Sequence, residues 1–162
     1  MLNFQELYES HKDDVYRFSF WLAGNRADAE DITSETFVRA WVRHNAIRTE
    51  TLRAYLLTIA RNVFLEQLRR RKRQVSLDDM HVDPSPSPER LVESQLEIAR
   101  VHRVLQAIAE IDRAAFVLRV QHDLPYAEIS RVLQISVPAA KVKIHRVRKK
   151  LIEACIRNEE GP

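Results

Sequence analysis

Apolar residues recur at helical spacing along most of the chain. From Asn3 to Leu22 the side formed by Phe4, Leu7, Val15, Phe18 and Leu22 predicts a first helix. Gly24-Asn25 reads as its stop, since glycine takes the left-handed conformation that closes helices. A second helix is expected from about Ala27 to His44, with Ala29, Ile32, Phe37, Ala40 and Trp41 inward. Its first turns carry Asp28, Glu30, Asp31 and Glu35, where negative charge suits the helix dipole and also forms an anionic surface. A polar loop, Asn45 to Thr51, leads into a long helix from Leu52 to Arg73. The apolar side of that helix is Leu52, Tyr55, Leu56, Ile59, Val63 and Leu68.

The periodicity fades from Gln74 to Pro88, where prolines alternate with serines beside three acids. Proline removes a helical donor and restricts the residue before it, so an extended, flexible linker is expected there. It divides the chain into a helical domain over 1–73, a linker over 74–88 and a second helical domain over 89–157. In the second domain Leu91, Ile98, Leu105 and Ile108 predict a helix from Glu89 to Ala109. Asp112 is expected to cap a short helix, Arg113 to Gln121. Pro125 suits a first turn, and Tyr126, Ile129 and Leu133 give a short helix. Ser136 is then an N-cap, with Val137, Ala140, Ile144, Val147 and Leu151 inward on the last helix. A short helix, a tight turn and a cationic second helix make a helix-turn-helix.

Composition sharpens this reading. The chain has 162 residues and only two glycines, Gly24 and Gly161. Glycine-rich phosphate loops are thereby excluded, and an all-α fold is favoured over a β-rich one. Net charge is +3, yet 61–73 and 136–157 hold half of the 26 Lys and Arg residues, with Glu66 and Glu153 their only acids. Arg69, Arg70, Arg71, Lys72 and Arg73 form an unbroken basic tip, more than a helix dipole needs, and it reads as unpaired and aimed at a polyanion. Lys141, Lys143, His145, Arg146, Arg148 and Lys149 fall outside the apolar side of the last helix, where donors to phosphates and base edges belong. Two basic regions in different halves predict contact with nucleic acid at two places. The single cysteine, Cys155, has no partner for a disulfide or zinc site, and the N-terminus lacks a signal core. A cytoplasmic protein with no metal and no cofactor is expected.

DAEDITSETFVRAW (Asp28–Trp41), YLLTIARNVFLEQLRRRKR and LPYAEISRVLQISVPAAKVKIHRVRKKL stand in an order and spacing that resemble the extracytoplasmic-function sigma factors of bacterial RNA polymerase. The resemblance covers nearly the whole chain apart from the linker and the last residues. It implies a promoter-specificity subunit of two helical domains, regions 2 and 4, that is not an enzyme and has no small-molecule substrate. The resemblance places Asp31, Glu35, Thr36, Phe37 and Arg39 against the clamp coiled coil of the polymerase's largest subunit, and implies a second contact at the flap. It places Asn62 on a flipped base of the −10 element, with Arg61, Arg69, Arg70 and Arg73 on the backbone. At the −35 element it places Lys141, Val142, His145 and Arg146 near base edges, and Lys143, Arg148 and Lys149 on phosphates. The acidic linker would thread toward the RNA exit path. The family also implies an anti-sigma protein, often membrane-bound, that clamps between the domains.

Four positions depart from the family pattern. Tyr55 stands where Trp is usual, Glu66 where Asp is commoner, Gln134 at the usual glycine of the helix-turn-helix, and Lys141-Val142-Lys143 replaces a run richer in Ser and Arg. Val142 donates no hydrogen bond but suits a thymine methyl. Two other classes account for less of the chain. A stand-alone helix-turn-helix repressor leaves the first three helices without a role. A metal-dependent nuclease needs converging carboxylates, whereas Asp28, Glu30, Asp31 and Glu35 fan around their helix.

Overall fold

The computed structural model describes residues 3–43, 52–75 and 93–160, and among these every regular element is a helix. In chain order they are α1 (Phe4–Ala23), α2 (Arg26–Val42), α3 (Leu52–Val75), α4 (Glu93–Gln106), α5 (Glu110–Val120), α6 (Tyr126–Leu133) and α7 (Val137–Glu160). The all-α expectation holds. Most of the Pro-Ser linker, the loop after α2 and the start expected for α4 at Glu89 lie outside the described residues.

Local chemistry sets the helix ends. Asn3 caps α1, its Oδ1 accepting from the Glu6 N–H at 2.7 Å. Gly24 closes the same helix at φ 90°, donating its N–H to the Phe20 carbonyl. Asn25 caps α2, accepting from the Asp28 N–H at 2.8 Å while donating Nδ2 to the Asp28 carboxylate at 2.7 Å. Ser136 Oγ accepts from the Ala139 N–H at 3.2 Å, as expected of a cap on α7. The reading of α5 is corrected: it begins at Glu110, with Ala109 in the cap position and no side-chain bond there. Asp112 lies inside its first turn, where its carboxylate takes Lys143 of α7 at 3.1 Å instead of capping.

The core shows what apolar spacing alone does not. Leu7, Val15, Phe18 and Leu22 of α1 pack with Ile32, Phe37 and Ala40 of α2 and with Leu52, Leu56 and Val63 of α3. The same continuous cluster takes in Ala114, Ala115, Val117 and Leu118 of α5, Ile129 and Leu133 of α6, and Ala140 and Ile144 of α7. The two halves therefore share one core. Accordingly α3 buries a wider arc than its first stripe, adding Leu57, Ala60 and Phe64. Ile98, expected inward on α4, is exposed. Arg113, by contrast, is buried, and its Nη1 donates to the Leu105 and Ile108 carbonyls at 3.1 and 3.3 Å. It thereby satisfies carbonyls that the end of α4 leaves open.

Candidate nucleic-acid interface

The outer face of α7 follows from its register. Ala140, Ile144 and Val147 are buried, which turns Lys141, Val142, His145, Arg146, Arg148 and Lys149 outward, all exposed. Val142 is 48% exposed, an apolar spot amid donors. Lys141 is positioned by Tyr126 of α6, whose ring centroid lies 5.2 Å from its ammonium and 4.4 Å from the Arg119 guanidinium. The α6–α7 turn is tight. Ser130 Oγ donates to the Ile135 carbonyl, and Gln134 sits in the left-handed region at φ 56°, ψ 47°. Lys143 is the exception among the predicted cations of α7, because it is half-buried and pairs with Asp112.

The second basic region ends α3. Arg69, Arg70, Lys72 and Arg73 are exposed, as is Asn62 two to three turns earlier. The tip is not wholly unpaired, however. Arg71 reaches back to Asp28 of α2, and burial, which alone would raise the Asp28 carboxyl, is outweighed by hydrogen bonds from Arg71 and Asn25 that hold it below the usual range. Arg61, also expected on DNA, is turned toward α5 and bonded to Glu110.

Between α2 and α3 lies a groove of about 360 Å³ lined by Asp31, Ser34, Glu35, Val38, Arg39 and Glu66, among others. Arg39 organises it. Its Nε donates to Glu35 at 2.8 Å, and Nη1 and Nη2 donate to both Glu66 oxygens at 3.1 and 2.6 Å. The hydrogen bonds that Arg39 donates hold the Glu66 carboxyl below its ordinary value, and donating to Glu66 and Glu35 raises Arg39 further. Asp31, Glu35 and Arg39 thus come together at a charged rim, as the sequence reading grouped them. Thr36 and Phe37 do not join that surface. Thr36 Oγ1 donates to the Ile32 carbonyl at 2.6 Å inside the core, and Phe37 packs edge-on to Tyr8 at 5.1 Å. They support the rim from behind. Glu66, whose contribution depends on a helix 27 positions away, carries no signal in the local sequence. Three of the acids of α2 each pair with a different cation: Glu30 with Arg26, Glu35 with Arg39 and Asp28 with Arg71. Among the described residues no helix is long and apolar enough to cross a membrane.

Comparison with known proteins adds to this geometry. The family described as Sigma-70 region 2 matches residues 7–74, and Sigma-70, region 4 matches residues 98–151. The ECF RNA polymerase sigma factor SigE of Mycolicibacterium smegmatis is 33% identical over 93% of this chain, which spans 61% of that relative's length. The ECF RNA polymerase sigma factor SigM of Bacillus subtilis is 28% identical, the match covering 93% of each chain. Among solved structures, the sigma factor RpoE from Bartonella quintana, in complex with the anti-sigma factor NepR, shares the fold. Its TM-score is 0.79 at 22% identity, over 94% of this chain and 96% of that one.

Proposed function

This chain belongs to the extracytoplasmic-function sigma factors, and from that premise we propose that it carries core RNA polymerase to promoters and helps hold the DNA open there. The observation that carries the reading is the outer face of α7, where Lys141, His145, Arg146, Arg148 and Lys149 surround Val142 on a helix-turn-helix. In this reading Lys141, Val142, His145 and Arg146 meet base edges of the −35 element, and Arg148 and Lys149 take phosphates. Lys143 joins the phosphate set only by leaving Asp112.

The groove between α2 and α3 is the polymerase-docking site in the same scheme. Asp31, Glu35 and Arg39 present alternating charge to the clamp coiled coil, while Thr36 and Phe37 fix the backbone that carries them. Residues 1–73 melt DNA and 89–157 set the upstream register. Asn62 captures an unstacked base, and Arg69, Arg70 and Arg73 hold the backbone beside it. Unstacking costs a few kcal/mol, which base capture and phosphate attraction offset without any covalent chemistry. The protein works in the cytoplasm, where an anti-sigma protein, often membrane-bound in the family, holds it until needed. Run-off transcription is the test: core polymerase plus this chain should yield promoter-dependent transcripts that core alone does not. Duplex binding without polymerase and without transcripts would favour a stand-alone repressor instead.

A further inference from the structure

The proposed function leaves unused the surface along which the two halves meet. At its centre Arg61 of α3 pairs with Glu110 of α5, Nε donating to Oε1 at 2.7 Å and Nη2 to Oε2 at 3.0 Å. Their side chains are only 14% and 17% exposed. Next to them Arg113 of α5 lies over the Phe64 ring of α3, 5.8 Å from its centroid. Toward the start of α3, Tyr55 and Thr58 face Glu128 and Arg131 of α6 across a gap of about 200 Å³. On α1, Gln106 Nε2 donates to the Trp21 and Leu22 carbonyls at 3.0 and 3.3 Å, and His102 stacks on Phe20 at 5.0 Å.

We propose that Glu110 is an internal stand-in for a DNA phosphate: its bidentate pair with Arg61 latches the halves closed and withholds Arg61 from nucleic acid until they separate. A carboxylate offers a guanidinium the same two-oxygen face as a phosphate, and one fork cannot serve both in this geometry. Apolar packing supplies most of the closure, but it places Arg61 in a largely dry position. A charge there needs a partner, so removing Glu110 leaves an uncompensated cation that favours opening. The DNA half of this inference rests on the reading of Arg61 as a −10 contact.

The test uses the full chain with Trp41→Phe, which leaves Trp21 as the remaining one of two tryptophans. Trp21 tilts against His102 at 5.3 Å in the interface, so its emission reports opening. The second readout is anisotropy of a short single-stranded oligodeoxynucleotide without polymerase. Glu110→Gln should shift Trp21 emission to the red and tighten oligonucleotide binding roughly three- to tenfold, the range expected when a charge-assisted bond is removed from one of two states. Glu9→Gln makes the same change of net charge on the exposed face of α1 and corrects for it. The swap Arg61→Glu with Glu110→Arg should restore blue emission, showing a folded and closed chain, yet lose the gain in binding. Unchanged emission and binding in Glu110→Gln overturns the latch. Red-shifted emission with binding equal to the Glu9→Gln control overturns the assignment of Arg61 to nucleic acid and leaves the closure standing.

Discussion

His122 shows how a single side chain couples this fold to solvent. It is fully buried in the turn after α5, edge-on to Phe18 at 5.7 Å, with Nδ1 3.7 Å from the Asp14 carboxylate and neither ring nitrogen hydrogen-bonded. Burial pushes its pKa down to about 4, Asp14 opposing and Arg53 and Arg17 assisting. An unfolded histidine takes its proton near 6.5, so the unfolded chain binds more protons than the folded one between those values. This contribution is therefore fully present well above pH 6.5 and is lost as the pH falls toward 4, by about 3 kcal/mol in all. His102, lowered by burial against α1, acts in the same direction. Thermal melts from pH 7 to 4.5 should show the loss, and His122→Leu should flatten it; an equally steep profile in the variant would exonerate His122. Gln134 makes a second residue-scale case. A side chain in the left-handed region costs roughly 1–2 kcal/mol, part of which glycine's chain entropy returns. Gln134→Gly should then raise stability by about 0.5–1 kcal/mol, read as a higher denaturant midpoint with unchanged slope.

Among the elements, α1 and α3 bear the most. The end of α1 is where the halves are pinned, and Gly24 serves two needs there. Its φ of 90° favours glycine, and a Cβ would come within 3.0 Å of the Gln106 side chain that bonds the Trp21 and Leu22 carbonyls. Gly24→Ala should cost about 1–2 kcal/mol through backbone strain and displacement of Gln106. Adding Gln106→Ala should recover the part due to crowding, so a double-mutant cycle that sums without coupling would refute the contact. The helix α3 is legible in sequence as amphipathic, but only along one stripe of its buried surface. Leu57, Ala60 and Phe64 are buried as well, in the continuous cluster that takes in residues of α1, α2, α5, α6 and α7. A single helix tells its period plainly; how many neighbours surround it is a property of the packing.

At the scale of the whole molecule, the functional reading divides labour between halves that the structure draws together. Asn62 is exposed on α3 while Arg61, one residue before it, is held by Glu110. Asn62→Ala should therefore impair strand opening by the holoenzyme and leave its duplex binding nearly intact. Permanganate reactivity of the melted strand against a filter-binding isotherm checks this, and normal opening would remove Asn62 from base capture. The outer cations of α7 could be named from their spacing alone, since Ala140, Ile144 and Val147 dictate which face turns out. Lys143 and Arg61 could not be placed that way, because their acids, Asp112 and Glu110, lie 31 and 49 positions off.

By itself the sequence determined the helices, the caps at Gly24 and Ser136, and the cationic character of α7, because those depend on residues three or four apart. Tertiary structure decided which charges are spent inside the molecule: Arg39 on Glu66, Arg71 on Asp28, Lys143 on Asp112 and Arg61 on Glu110. Ion pairing acts over a few ångströms of space and is indifferent to distance along the chain, so only packing that brings helices together can assign a cation to its acid.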